Sequence, residues 1–219
     1  MSATGSSSLS PQFRVAHHFD DANAQFEADK LGIWIFLVTE ILLFGGMFVA
    51  FAVFRSWHLE AFKEAHHHLN KVMGAVNTVV LICSSLTMAL GVRAAQRSKR
   101  AQTLVLLGLT LAFAVTFLVI KGFEYHHKFV EGLLPGAHFT AKGFAYPTAK
   151  IFYGLYFMMT GLHGLHVLIG MGLITWVLVR AGKGQFSSRY YAPVEGVGLY
   201  WHLVDMIWIY LFPLLYLIG

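Results

Sequence analysis

Residues 31–54 read LGIWIFLVTEILLFGGMFVAFAVF. Glu40 is the one charged side chain in that run, and roughly 20 apolar residues suffice for a helix to cross the hydrocarbon core of a bilayer. Four further runs share this character, at about residues 72–91, 103–120 (with a helical extension through 125), 151–179 and 197–218. The run at 151–179 exceeds one crossing, so tilt or protrusion is expected there. Backbone groups in lipid must be satisfied within the segment, and none of these runs alternates polar with apolar. They are therefore helices. The expected fold is an all-α integral membrane bundle of five transmembrane helices spanning residues 30–219, preceded by a mobile extramembrane tail over 1–29 with Phe26 touching the interface.

Composition agrees with that reading. Hydrophobic residues make up 57% of the 219 and charged residues 12%, about half the share in an ordinary soluble domain. So few charges cannot build a water-facing surface. The net charge of +5 comes from 16 Lys and Arg against 11 Asp and Glu. These cations sit in short connections between apolar runs, which suits headgroups and membrane orientation and argues against a nucleic-acid partner. The lone cysteine, Cys83, lies inside an apolar run and reads as a packing residue. The Ser-rich start has no apolar core, so it is not read as a secretory signal.

Loop cations set the expected orientation. Arg14, Lys30, Arg93, Arg97, Lys99, Arg100, Arg180, Lys183 and Arg189 fall on one side, nine in all. Arg55, Lys63, Lys71, Lys121, Lys128, Lys142 and Lys150 fall on the other, seven in all. Their density in the short loops of the first side places the N-terminus in the cytoplasm and the C-terminus outside. The connection from about Gly122 to Lys150 carries Gly132, Pro135, Gly136, Gly143 and Pro147, and reads as an ordered, irregular external loop.

The informative residues are polar ones inside the spans. Glu40 at mid-span must face protein or water, because a charge at the bilayer centre costs several kcal/mol. Two readings stand: a proton-linked or lipid-headgroup site, or a protonated carboxyl hydrogen-bonded to a neighbouring helix. The Gly45–Gly46 pair beside it would let another backbone approach. Asn77, Thr78, Ser84, Ser85 and Thr87 form a stripe suited to interhelical hydrogen bonds. His163 and His166, three residues apart, share a helical face. Glu195 and His202 share another, with Asp205 one turn further on. These imidazoles and carboxylates could in principle hold a metal or haem. No Cys or carboxylate flanks the histidine pair, however, so mutual pairing within the bundle is the more economical reading. Phosphate loops, nucleophile elbows, CxxC and CxxCH are absent from the chain, and no catalytic centre is expected in it.

Five phrases, LVTEILLFGGMFVAF (37–51), VNTVVLICSSLTM (76–88), GFEYHHKF (122–129), FMMTGLHGLHVLIG (157–170) and VEGVGLYWHLVDMIWIYLFPLLYL (194–217), resemble successive helices of cytochrome c oxidase subunit III, in order and over nearly all the chain after residue 30. The resemblance implies a non-catalytic, all-helical subunit that binds no haem and no copper, those groups belonging to partner subunits. It also implies subunits I and II as partners, bound phospholipid, and support of proton uptake into subunit I. Contact with cytochrome c or a larger respiratory supercomplex would be made through the complex, in a bacterial inner membrane. Glu40 matches the family's buried carboxylate, while Asn77, Glu124, His163, His166, Glu195, His202 and Asp205 match its intramembrane polar set. Many members have seven helices, and this chain matches from the third onward, which makes it a five-helix form. Five-helix versions also occur in bo-type quinol oxidases and in a companion of nitric oxide reductase. The quinol version tends to carry Asp where this chain has Glu40. From other classes, a stand-alone membrane haem protein using His163, His166 and His202, or a proton transporter, remains to be weighed.

Overall fold

The computed structural model describes residues 22–135, 139, 144–187 and 190–218, and of residues 22–26 and 29 the backbone alone. The expected contact of Phe26 lies outside the described side chains. Among the described residues six α-helices follow one another: α1 (Ala22–Trp57), α2 (Leu59–His67), α3 (Lys71–Gln96), α4 (Arg100–Val130), α5 (Ala149–Gly182) and α6 (Ala192–Phe212), the last continuing as a π-helical turn, Pro213–Ile218. Five of them are long and apolar enough to cross a membrane, beginning with Lys30–Trp57 of α1. The chain is a multi-pass, all-α membrane protein.

The helices turn their small and polar residues inward and their branched aliphatic ones outward. On α3 the buried positions Gly74, Asn77, Leu81, Ser84, Met88 and Gly91 recur at intervals of three and four, while Val76, Val79, Ile82 and Leu86 are exposed. The α4 stripe Thr103, Leu107, Thr110, Ala114, Phe117, Lys121, Glu124 and Lys128 has the same period. These two helices form the most extensive pairing in the bundle. In lipid no hydrophobic drive separates helix from solvent, so association relies on close packing and interhelical hydrogen bonds. One close approach is at Gly170 on α5, where a Cβ would stand 2.7 Å from two ring atoms of Trp201.

Helix α1 is peripheral. Only Leu37, Phe44 and Phe51, spaced by sevens, are buried among its described side chains, so one narrow seam holds it to the rest. The Gly45–Gly46 pair is not part of that seam, since a Cβ at either would meet nothing within 4 Å. The same is true of Gly164 and Gly172 on α5.

Two expectations are corrected. The connection read as starting at about Gly122 begins only after Val130, because α4 runs nine residues past Lys121. Lys121 and Lys128 are thus buried helix residues and not loop cations. The segment between the first two spans was read as connection only, yet it holds α2. Phe62 on α2 packs edge-on against Phe51 and Phe152, at 5.3 and 5.4 Å between ring centroids. Tyr153 donates to the Ala65 carbonyl at 3.2 Å.

Candidate functional site

Glu40 meets its partner across the seam. Its Oε2 lies 2.8 Å from Nε2 of His166 on α5, and Phe44 packs edge-on over the imidazole at 5.2 Å. The other ring nitrogen, Nδ1, lies 2.8 Å from the Leu162 carbonyl. A carbonyl only accepts, so Nδ1 carries a hydrogen. The contact to Glu40 then needs one further proton, held on the carboxyl or on the ring. Glu40 and His166 therefore form a one-proton pair near mid-span. Their side chains keep 14% and 10% of their surface exposed, at the edge of the bundle.

A second network lies nearer the α2 end. Lys121 Nζ donates to Glu124 Oε2 at 3.0 Å, Tyr156 Oη at 3.2 Å and Tyr216 Oη at 3.0 Å, which uses all three ammonium hydrogens. Tyr156 donates to Glu124 Oε1 at 2.9 Å, and Tyr216 donates to the same oxygen. The rings of Tyr125, Tyr156, Trp208 and Tyr216 surround the ammonium at 4.9 to 5.6 Å. Cation–π attraction and full hydrogen bonding together offset the desolvation of this buried ion pair. Glu124 also lines an open cleft of about 480 Å³, with His68, Asn70, Phe123, His127 and Lys128. Lys128 donates to the His68 carbonyl at 2.6 Å and to Glu131 at 3.1 Å.

The polar stripe of α3 bonds chiefly to α6 and α4. Trp201 Nε1 donates to Ser84 at 3.0 Å and Trp208 Nε1 to Thr78 at 3.1 Å. Ser85 meets His202 Nδ1 at 2.7 Å, and Thr87 meets Thr110 at 2.9 Å. Such bonds contribute about 0.6–2 kcal/mol each in a membrane.

Asn77 and both nitrogens of His163 are buried without a hydrogen-bond partner among the described residues, and Asp205 is buried with only the Ser85 hydroxyl, itself bonded to His202, beside its carboxyl. Each is at most 2% exposed. His163 is held by its faces, between Phe117 at 5.6 Å and Trp208 at 5.3 Å. The structure thus brings Glu40 to His166, but it brings His202 to Ser85 and not to Glu195 or Asp205. Glu195 stands in the first turn of α6, where a carboxylate suits the helix dipole. Among the described residues, no group of three His, Cys, Asp or Glu could hold a metal ion. His166 is engaged on both nitrogens, and His163 is enclosed by aromatic rings. Sequence reasoning missed Lys121, Tyr156 and Tyr216. The three-residue spacing of Lys121 and Glu124 was the available signal.

A bundle of this kind is a membrane-embedded helical protein with an intramembrane polar interior. The chain matches the family model of cytochrome c oxidase subunit III over residues 15–219, and it belongs to that family. It is 35% identical over 188 residues to cytochrome c oxidase subunit 3 of Synechocystis sp., covering 85% of this chain and 74% of the relative. It is 28% identical over 189 residues to cytochrome bo(3) ubiquinol oxidase subunit 3 of Pseudomonas putida, covering 86% and 85%. A third relative, the haem–copper oxidase subunit I+III of Aeropyrum pernix, is 30% identical over 203 residues, covering 88% of this chain and 23% of that protein.

Proposed function

We propose that this chain is the non-catalytic third subunit of a proton-pumping haem–copper terminal oxidase that carries electrons from cytochrome c to oxygen. It stabilises subunit I and supports the proton uptake and lipid environment of that subunit. The family match over residues 15–219 carries this reading. Subunits I and II are the partners, and haem and copper reside in them. The Aeropyrum relative, whose name joins subunits I and III in one chain, supports direct contact with subunit I. Phospholipid would cover the exposed aliphatic faces. The membrane is the bacterial inner membrane. Taking Lys121 and Lys128 out of the loop count leaves five cations against nine, which supports a cytoplasmic N-terminus and an external C-terminus.

The Pseudomonas relative favours one alternative, the same subunit of a quinol oxidase. Purification of the native complex through a tag on this chain separates the two. Haem a together with a CuA-bearing subunit II is expected. A complex with haem but no CuA subunit would assign the chain to the quinol branch, and one without haem or copper would remove both readings.

A further inference from the structure

The two polar networks end at points that His163 lies between. Toward the α2 end, Glu124 lines the cleft and joins Lys121, Tyr156 and Tyr216. Toward mid-span, His166 and Glu40 hold their shared proton at the bundle edge. His163 sits one turn before His166 on α5, and against the Trp208 ring that also covers the Lys121 ammonium at 4.9 Å. Thr160, the preceding turn of the same face, bonds with Tyr125 at 2.5 Å. Along this route the polar atoms of Lys121, Glu124, Tyr125, Thr160 and His166 are engaged. His163, 1% exposed, has neither nitrogen engaged.

Leaving both nitrogens of a buried imidazole unbonded is costly, about 1–3 kcal/mol for each unsatisfied group. A structural histidine would be cheaper as Phe or Leu in this ring-lined site. On the neighbouring helices Asn77 of α3 is also unpartnered, and Asp205 of α6 has only the Ser85 hydroxyl beside it. Thr78 beside Asn77 takes the Trp208 indole hydrogen, and Asp205 stands three residues before Trp208. Of these side chains His163 packs directly against Trp208, and a buried water beside it would need two to four polar partners.

We propose that ordered water joins His163 to both networks, so that the core of α4, α5 and α6 carries a hydrogen-bonded proton path from the cleft at Glu124 to the Glu40–His166 pair. Neutral imidazole suits the connecting position. One nitrogen accepts a proton from a water on the Lys121 side while the other releases its own to a water that meets the Glu40 carboxyl, both nitrogens of His166 being engaged already, so charge balances and the tautomer inverts. The Glu40–His166 pair can then exchange its proton with the aqueous cleft and present it at the bundle edge. The charged and titratable groups facing His163 are Lys121 from α4 and His166 from α5.

The test is deuterium exchange of the Glu40–His166 pair in the intact complex in nanodiscs, followed by infrared spectroscopy with bands assigned through Glu40→Gln. His163→Phe keeps the ring but removes both nitrogens, and exchange is expected to slow at least about tenfold. His163→Gln, which can still bind water on both sides, should restore most of the rate. Exchange in His163→Phe as fast as in the parent would overturn the path. Should that variant not assemble, water density in a cryo-EM map of the parent complex decides. Density within hydrogen-bond distance of both His163 nitrogens is expected. A dry ring in a map that resolves water elsewhere in the bundle would overturn the proposal.

Discussion

His166 reaches Glu40 through Nε2 at 2.8 Å because the Leu162 carbonyl, also at 2.8 Å, fixes a hydrogen on Nδ1. The pair is also the polar clasp between α1 and the bundle at mid-span, where the seam is narrow.

Replacing Glu40 therefore separates two effects. Glu40→Gln keeps a hydrogen-bonding group beside Nε2 and should leave the complex assembled, with altered proton uptake or faster inactivation during turnover. Glu40→Ala orphans a nearly buried imidazole and should cost about 1–3 kcal/mol. Thermal unfolding and turnover traces of both variants check this. Equal stability of the two would show that the clasp contributes nothing.

Lys121 and Glu124 are buried with opposite charges, so removing one strands the other. Lys121→Met should destabilise by about 3–5 kcal/mol, and the double change Lys121→Met, Glu124→Leu should recover much of that loss. A double-mutant cycle on complex stability measures the coupling. Additive losses would mean that the two groups act separately.

Two glycines of similar sequence context should behave oppositely. At Gly170 a methyl group would collide with Trp201, which is fully buried and tied to Ser84, and overpacking of this kind costs about 1–3 kcal/mol. Gly45→Ala meets nothing within the chain and should be neutral or slightly stabilising through helix propensity. Loss of subunit I from a complex carrying Gly45→Ala would place a partner helix against α1.

Acid should loosen α2. Burial lowers the His66 pKa below its ordinary 6.5, with His67 and Lys71 pushing the same way. The folded form prefers the neutral ring, whose Nδ1–H donates to the Lys63 carbonyl at 2.8 Å. Below pH 6.5 the unfolded segment binds the extra proton, so the docking of α2 is fully stable above that pH and weakens as pH falls toward the lowered value. Hydrogen exchange of α2 amides should accelerate over that window in the parent and change less in His66→Gln.

All five spans could be read from the sequence, because about 20 uninterrupted apolar residues leave few alternatives in lipid. Their ends were less legible. His126, His127 and Lys128 of α4 are polar or charged, and a hydropathy run stops before them although the helix continues to Val130. Helix α2 is nine residues long and amphipathic, so its existence depends on Phe62 finding Phe51 and Phe152, which no local pattern announces. Glu40 and His166 were each legible as residues needing partners, but their pairing spans 126 positions. Lys121 was misplaced because a cation at the end of an apolar run looks like a loop charge until its tyrosines, 35 and 95 residues away, are known.

The π turn at Pro213–Ile218 buries the adjacent residues Leu215 and Tyr216 together. A π-helix holds one residue more per loop than an α-helix, the geometry left when a single residue is inserted into a regular helix. Deleting one residue there would restore α-helical winding and rotate Tyr216 about 100° away from Glu124. This stretch of α6 should therefore tolerate substitution much better than any change in its length.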